Sequence, residues 1–292
     1  MSKPFWIIAD VACDLPITYV EKCERLLIMP MPYQRDDQEF IYKTGDEADL
    51  HSFYENLENG AVYTTAQINI DTYYNTFKNI IEKGEGLICL PLSSGISGSI
   101  NNAIMAKEKI KENYPDAEIA VCDSICASLG YGLLVHHLIK EREKGITLKE
   151  AEEFVNKTAP HIIHWFTVDN LKCLYRGGRI SKSSAYFGSM LRIKPVLNVD
   201  KGGFLTPQEN VQGRKRSIKT LAKRIEEVIN PRAGQPIFIG HADCEEDALL
   251  LKSYLQKALP GIKDYLISPI GAIVGAHSGP GTLAVFCLGY ER

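Results

Sequence analysis

The sequence lacks the short motifs that mark the commonest nucleotide and metal enzymes. No stretch fits the phosphate-binding loop G-x-x-x-x-G-K-S/T, no G-x-G-x-x-G follows the first apolar run, and no H-E-x-x-H occurs. The eight cysteines include no C-x-x-C pair, which excludes the usual zinc-ribbon and thioredoxin spacings. We therefore expect no metal and no organic cofactor, and we expect reduced cysteines that act as small apolar side chains.

The sequence also lacks a strong charge bias and a long apolar run. Its 33 Lys and Arg residues against 36 Asp and Glu residues give a net charge of −3, so nothing favours counterion-driven binding of nucleic acid. No apolar run reaches the roughly 18 residues of a membrane span. An apolar segment begins at Phe5, too early for a signal peptide. We expect a soluble, cytoplasmic protein with no nucleic-acid partner and no integral membrane association.

Short apolar runs alternate with helical patterns along the chain. Several runs are nearly continuous in apolar residues, as is typical of strands covered on both faces. The spacing of Ile218, Leu221 and Ile225 predicts a helix. The predicted strands are 6–9, 26–29, 87–90, 119–122, 165–168, 196–199, 237–239 and 283–287. This alternation predicts the α/β class with mostly parallel sheets.

Length and composition favour two domains. The chain has 292 residues, 45% of them hydrophobic, which is ample for more than one buried core. A charged amphipathic helix is predicted over 148–158, and a new strand pattern begins after residue 160. We therefore predict an N-terminal α/β domain of residues 1–159 and a C-terminal α/β domain of residues 160–292.

The stretch SSGISGS, residues 93–99, lies between a predicted strand and a predicted helix. Hydroxyls and free backbone N–H groups at the start of a helix bind anions readily. A single serine would suffice as a helix cap, whereas four serines and two glycines favour a binding site. Ser97 stands nearest the helix start and is the residue we single out.

Two further stretches carry polar groups at predicted strand ends. Thr65 precedes the predicted helix that bears Tyr73, and His277 lies in residues 271–281, where four glycines and a proline surround it. We predict that this second stretch is a glycine-rich turn between two apolar strands, which exposes the histidine. Because functional residues of α/β sheets gather at the carboxyl ends of strands, we expect Thr65, Ser97 and His277 to meet.

These residues allow two chemical interpretations. In the first, Ser97 is the nucleophile of a serine esterase or acyl hydrolase, because residues 95–99 approximate the G-x-S-x-G elbow. His277 would then be the base and Asp243 or Asp247 the third member. The fifth position of the elbow is a serine rather than a glycine. No feature of the sequence indicates that either aspartate orients His277.

In the second interpretation the same side chains bind a ligand without reacting. A buried carboxylate is costly unless it is hydrogen-bonded, and Thr65, Ser97 and His277 supply three donors for the carboxylate of a fatty acid. Two arginines around the Gly-Gly turn at 176–181 add a possible clamp for carboxylate or phosphate. A regulatory sensor whose domains move on ligand binding is a further alternative.

Six motifs of this sequence, taken in order, resemble those of the DegV family, bacterial fatty-acid-binding proteins that serve a separate fatty acid kinase. They are residues 9–15, 65–67, 92–99, 122–124 with 127–130, 176–181, and 275–281. One motif would be weak evidence, whereas six in the family's order are specific. The resemblance covers nearly the whole chain.

The resemblance implies two α/β domains with a long-chain fatty acid, such as palmitate or stearate, in a tunnel between them. The family's carboxylate contacts fall on Thr65 and Ser97, with His277 beside them, and the arginine that contacts phosphate or a partner falls on Arg179. The partner kinase phosphorylates the bound fatty acid, and the acyl phosphate enters phospholipid synthesis. The binding protein itself is then not an enzyme.

The sequence departs from the family pattern at a few positions. Val11 replaces a serine of the first motif, and residues 65–69 keep the threonine and glutamine but lose two serines and a proline. An arginine of the second domain corresponds to Gln212, with Arg214 two residues on. These departures leave the expected carboxylate contacts in place. The replacement of the arginine by Gln212 concerns the surface expected to meet the acyl phosphate or the kinase.

Overall fold

The computed structural model describes residues 4–181, 193–230, 235–290 and 292, and only the backbone of Ala48. The strands are β1 (Phe5–Asp10), β2 (Leu26–Met29), β3 (Met31–Arg35), β4 (Gln38–Tyr42), β5 (Tyr63–Thr65), β6 (Gly86–Leu90), β7 (Ile119–Val121), β8 (Ile162–Thr167), β9 (Ile193–Val199), β10 (Leu205–Gln212), β11 (Ile237–His241), β12 (Tyr265–Pro269) and β13 (Leu283–Leu288).

The α-helices are α1 (Ile17–Val20), α2 (Leu50–Glu58), α3 (Ile70–Ile81), α4 (Ser99–Asn113), α5 (Ser128–Glu143), α6 (Leu148–Thr158), α7 (Lys172–Arg176), α8 (Arg214–Val228), α9 (Glu245–Ala258) and α10 (Ala272–Ser278). Short 3₁₀ turns occupy Val11–Cys13, Asp46–Asp49 and Ala159–His161. The mixed α/β class predicted from the sequence is confirmed.

The first sheet is parallel throughout its described strands, in the order β2-β1-β6-β7. Its central strand β6 is buried at every residue, as expected for a parallel strand covered on both faces. Because the strands are parallel, the segments that follow β1, β6 and β7 emerge at the same edge of the sheet. This edge carries Asp10, residues 91–98 and Asp123.

The second sheet has the order β10-β9-β8-β13-β11-β12 and is mostly antiparallel. Only β11 and β12 pair in parallel, while β10–β9, β9–β8, β8–β13 and β13–β11 are antiparallel. The expectation of mostly parallel sheets therefore holds for the first sheet and not for this one. The difference arises because β8, β9 and β10 pair antiparallel in chain order, and because β13 returns between β8 and β11 and runs against both of them.

A third sheet joins β4, β3 and β5, all antiparallel. None of these strands is among the ranges predicted from the sequence, although Thr65 is expected at a strand end. Their residues are partly exposed and mix polar with aromatic side chains. Tyr33 pairs with Thr65 in this sheet. The third sheet therefore fixes the position of one of the predicted donors.

Helix α5 lies at the centre of the molecule. Its buried residues include Leu129, Tyr131 and Leu133, and it contacts β8, β11 and β13 of the second sheet as well as β1 of the first. The larger apolar core accordingly contains residues from both sides of the predicted boundary, among them Phe5 and Phe286. A smaller core lies between the second sheet and α8 and α9. The division between residues 159 and 160 stays a prediction.

Candidate functional site

One cavity of about 390 Å³ contains all of the site residues predicted from the sequence. Thr65, Ser97, Arg179 and His277 line it together. Much of the remaining wall is apolar and includes Leu92, Phe166, Leu174, Ile273 and Phe286. The structure thus brings the four predicted residues onto one apolar cavity, while their roles stay predictions.

Ser97 lies on a loop that two buried or partly buried aspartates fasten at the edge of the first sheet. Asp10, at the end of β1, accepts hydrogen bonds from the N–H of Leu92 at 2.9 Å and of Ala12 at 3.1 Å. Asp123, after β7, accepts one from the N–H of Ser94 at 3.1 Å. Since β1 and β7 flank β6, the loop that follows β6 is held from both sides.

Among the described residues, the Ser97 hydroxyl makes only local hydrogen bonds. Its Oγ donates to Ser99 Oγ at 3.1 Å and accepts from the Ser99 N–H at 3.3 Å. Gly98 stands directly before α4 and contacts Gln67 so closely that an added Cβ would lie 2.5 Å from Gln67 Nε2. The glycine therefore lets the loop of Ser97 approach the loop that follows Thr65.

Thr65 and His277 are in direct contact. Thr65 Oγ1 lies 2.7 Å from His277 Nε2, across 212 residues of sequence. Thr65 ends β5, and His277 lies in the last turn of α10. The prediction that residues 271–281 form a glycine-rich turn is wrong for residues 272–278, which are helical, and right for the residues after Gly279.

His277 is neutral at physiological pH. Burial, together with the positive charges of Arg179 and Arg176, lowers the pKa of its ring from 6.5 to about 4. Among the described residues its Nδ1 has no hydrogen-bond partner. If Nε2 carries the proton and donates it to Thr65, the Thr65 hydroxyl is free to donate to a ligand anion.

Arg179 brings a positive charge to the same part of the cavity. Its Nε donates to the Ile96 carbonyl at 3.2 Å and its Nη1 to the Gly177 carbonyl at 2.5 Å. The bond to Ile96 connects the turn after α7 to the serine loop. Burial lowers the pKa of Arg179, and the guanidinium remains charged at neutral pH. An anion at the polar end of the cavity is therefore favoured electrostatically.

The same geometry does not assemble a serine hydrolase triad. Asp243 lies 2.9 Å from the Nδ1 of His51, and Asp247 accepts from Arg214 Nε at 2.7 Å. Neither aspartate is hydrogen-bonded to His277 among the described residues. Ser97 is also absent from the non-glycine residues with positive φ in the part of the chain that the structure describes, whereas a nucleophile elbow is a sharp, strained turn.

Gln212, which corresponds to an arginine of the family pattern, and the nearby Arg214 have different environments. Gln212 ends β10 and is exposed. Arg214 begins α8 and is paired with Asp247, with Asp169 at 3.9 Å from its Nη1. Arg214 is therefore engaged within the molecule and does not replace an exposed arginine at position 212.

Two buried groups beside the cavity are not identified by the sequence patterns. His164 lines the cavity; it is buried and donates from Nδ1 to the Ile162 carbonyl at 2.8 Å, while its Nε2 accepts from the Ala127 N–H at 3.3 Å. Asp14 lies behind the wall and bonds to Gly271. Asp14 belongs to the first motif, but His164 sits inside an apolar strand and carries no signal that distinguishes it.

The described residues contain no cluster of three or more His, Cys, Asp or Glu side chains that would suit a metal ion. All eight cysteines are free thiols. Within the same residues, no helix combines the length and the apolar character that crossing a membrane requires.

Comparison with known proteins finds relatives along the whole chain. The model of the DegV family ("Uncharacterised protein, DegV family") matches residues 4–289. A DegV domain-containing protein of Clostridium perfringens is 38% identical over 288 residues, which cover 98% of each chain.

Solved structures share the fold over nearly their full length. The stearic acid-binding protein of Eubacterium ventriosum is 26% identical, with a TM-score of 0.84 and 98% of both chains covered. The Streptococcus pneumoniae Fatty Acid Kinase (Fak) B3 protein loaded with linoleic acid is 23% identical, with a TM-score of 0.84 over 100% of this chain and 99% of that one. The family model that matches residues 4–289 and the 38% identical Clostridium perfringens relative establish that the chain belongs to the DegV family.

Proposed function

We propose that this protein binds a long-chain fatty acid, with its carboxylate at Thr65, Ser97 and His277 and its acyl chain along the apolar wall of the cavity. The observation that carries the proposal is the Thr65–His277 contact on the same apolar cavity as Ser97 and Arg179. The stearic acid bound by the Eubacterium ventriosum protein supports the ligand class.

The two ends of the cavity match the two ends of such a ligand. A carboxylate leaves water at a high cost unless donors replace its hydration, and hydroxyls next to a guanidinium supply them. Burial of each methylene contributes about 0.8 kcal/mol, so a chain of palmitate length contributes on the order of 10 kcal/mol gross before the ordering costs of binding. The acyl chain therefore provides most of the affinity, and the polar groups provide orientation.

We further propose that the protein acts in the cytoplasm as a carrier rather than as a catalyst and presents its fatty acid to a separate fatty acid kinase. The Fak B3 protein of Streptococcus pneumoniae, which shares the fold, supports this role. Arg179 lies beside the carboxylate site and would stabilise the negative charge of an acyl phosphate, the precursor for phospholipid synthesis. We expect fatty acid binding to require no cofactor.

The proposal is tested by identifying what the protein carries. We expect native mass spectrometry of protein purified from cells, with extraction of its lipids, to find one fatty acid per chain. Palmitate or stearate should bind to the delipidated protein. A chain that carries no fatty acid and takes up none when offered it would refute the proposal.

Ser97→Ala tests the carboxylate site itself. Loss of one donor to a buried carboxylate should weaken fatty acid binding by about 1–3 kcal/mol, measured by titration calorimetry. Ser52→Ala, at an exposed position of α2, is the matched control and should bind like the wild type. Equal affinities of the Ser97 and Ser52 variants would remove Ser97 from the site.

The carrier role and the esterase alternative give opposite results in two assays. With a fatty acid kinase and ATP, the loaded protein should yield acyl phosphate, and failure to do so would refute the kinase role without affecting the binding proposal. An activated ester should not be turned over, and a serine-directed phosphonate should not label Ser97. Turnover that disappears in Ser97→Ala would favour the esterase instead.

A further inference from the structure

Asp14 occupies a rigid position behind the wall of the cavity. It follows the 3₁₀ turn Val11–Cys13, adopts the left-handed conformation (φ 52°) and donates its N–H to the Val11 carbonyl at 3.2 Å. An added Cβ on Gly132 of α5 would lie 2.7 Å from the Cys13 carbonyl oxygen. The turn therefore packs directly against α5, and the backbone of Asp14 has little freedom to move.

The Asp14 carboxylate joins two elements that are distant in sequence. It accepts from the Ser128 hydroxyl, at the start of α5, at 2.6 Å. It also accepts from the Gly271 N–H, directly before α10, at 2.9 Å. The approach to Gly271 is close, since an added Cβ there would lie 2.9 Å from Asp14 Oδ1.

The helix that Asp14 holds is short and forms one wall of the cavity. Helix α10 has seven residues, or about 10 Å at 1.5 Å per residue, and presents Ile273, Val274 and His277 to the cavity. Its first end is fixed by Asp14 and its last turn contacts Thr65 through His277. A change at the first end of so short a helix is passed on to His277.

We propose that Asp14 is a positioning residue for ligand binding: by fixing the start of α10, its carboxylate sets the placement of His277 against Thr65. The consequence for fatty acid binding rests on the proposed function. The effect on His277 itself does not, because it concerns the Thr65–His277 contact within the chain.

Asp14→Asn is the first variant of the test. It preserves the shape of the side chain but leaves a single acceptor oxygen, and it places an NH₂ group toward one of the two donors. Asp36→Asn is the matched control, because Asp36 is also an aspartate in the left-handed conformation (φ 54°) but lies exposed between β3 and β4.

The first readout is the ring ¹⁵N spectrum of His277 in the delipidated protein. We expect Asp14→Asn to shift the Nε2 resonance, because the contact with Thr65 changes, and Asp36→Asn to leave it in place. An Nε2 resonance that is the same in wild type and Asp14→Asn would overturn the proposal. This readout needs no fatty acid, so it decides the role of Asp14 even if the proposed function fails.

The second readout is a double-mutant cycle on palmitate binding. We expect Asp14→Asn to raise the Kd about tenfold in the wild-type background and by less than about twofold in the His277→Ala background, since coupled residues are not additive. The same factor in both backgrounds would show that Asp14 does not act through His277.

A second variant covers the case in which Asp14→Asn does not fold. Ser128→Ala keeps the carboxylate and removes one of its donors. We expect it to raise the Kd for palmitate by about threefold, again only when His277 is present. A factor that persists in His277→Ala would overturn the proposal, because it would reflect direct contact of residue 128 with the ligand.

Discussion

His277 is placed by the residues that leave space for its ring. Gly177 lies beneath it, and an added Cβ there would stand 2.3 Å from His277 Nδ1. The backbone of Gly177 is right-handed helical (φ −73°, ψ −8°), so an L-residue fits the conformation. The severe contact of a side chain would be with the ring, while the Cys173 carbonyl oxygen would lie 3.2 Å from the added Cβ. This position therefore separates a steric effect on the site from a backbone effect.

Gly177→Ala should displace the His277 ring and weaken fatty acid binding by about tenfold, comparable to the loss of one hydrogen bond to a charged group. The measurement is the Kd for palmitate of the delipidated variant, with thermal unfolding as a check on the fold. Gly261→Ala is the control, because nothing lies within 4 Å of its added Cβ and its φ is not left-handed. Wild-type affinity of Gly177→Ala would mean that the ring can move without consequence.

His277 also gives the stability of the protein a defined pH dependence. In the folded chain, burial and the nearby arginines lower its pKa from 6.5 to about 4. Between these values the unfolded chain binds a proton at this site and the folded chain does not. The contribution of His277 to the free energy of unfolding is therefore complete above about pH 6.5 and falls as the pH drops toward 4.

Denaturant unfolding at pH 7.5 and pH 5 tests the predicted direction of this pH dependence. Between these two conditions, the free energy of unfolding should fall more in the wild type than in His277→Gln, which has no titrating group at this position. Ring ¹⁵N resonances should show His277 neutral at pH 6. Equal decreases in both proteins, or a ring that titrates near pH 6.5, would contradict the assigned environment.

At the scale of elements, the sequence predicts best those segments that carry a strong local signal. Strand β6 is apolar and buried throughout, and it was predicted over four of its five residues. Helix α6 has the predicted bounds, Leu148–Thr158, because a capping box formed by Thr147 and Glu150 defines its start. Such signals are local, and they depend little on what the element later contacts.

Strand direction and partly exposed strands could not be predicted in this way. The residues of β13 are apolar in either direction, and only its connection decides that it runs against β8 and β11. Strands β3 and β4 are only partly buried and show no regular alternation of buried and exposed residues. Helix α10 was missed because glycines at 271, 275 and 279 favour a turn locally, whereas tertiary contacts hold it.

In the candidate site, too, the residues with a local signal in the sequence were predictable and those defined by distant contacts were not. Thr65, Ser97 and His277 stand out because polar residues at element ends interrupt apolar patterns, and all three line the cavity. The role inferred for Asp14 depends on Gly271, 257 residues away along the chain. A contact of that kind has no local signature, so the first motif could be noticed in the sequence but not explained by it.

At the scale of the whole molecule, the serine loop and the second sheet touch directly. The Ser93 hydroxyl donates to the Gly203 carbonyl at 3.0 Å, and an added Cβ on Gly95 would lie 2.6 Å from the same carbonyl. Gly203 belongs to the turn between β9 and β10. The cavity is therefore enclosed by segments from both sides of the predicted boundary, and its shape depends on how these segments are joined.

Arg292 makes a further connection across that boundary. Its guanidinium donates to the carbonyls of Ile125 at 2.6 Å, Ala159 at 2.9 Å, Ile162 at 2.7 Å and Asp200 at 3.2 Å. Carbonyls that lose such a donor in a partly buried site keep their desolvation cost. The planar fork of arginine serves several acceptors at once, which an ammonium group does not.

Arg292→Ala should therefore lower the free energy of unfolding by about 1–3 kcal/mol, measured by denaturant unfolding, and Arg292→Lys should recover only part of this loss. Arg216→Ala, at an exposed arginine on α8, is the control for removal of one positive charge and should be close to neutral. If Arg292→Ala unfolds like Arg216→Ala, the four carbonyls are satisfied without the guanidinium. The junction would then be held by the other contacts across the boundary, such as Ser93–Gly203 and Thr65–His277, and by the shared apolar core.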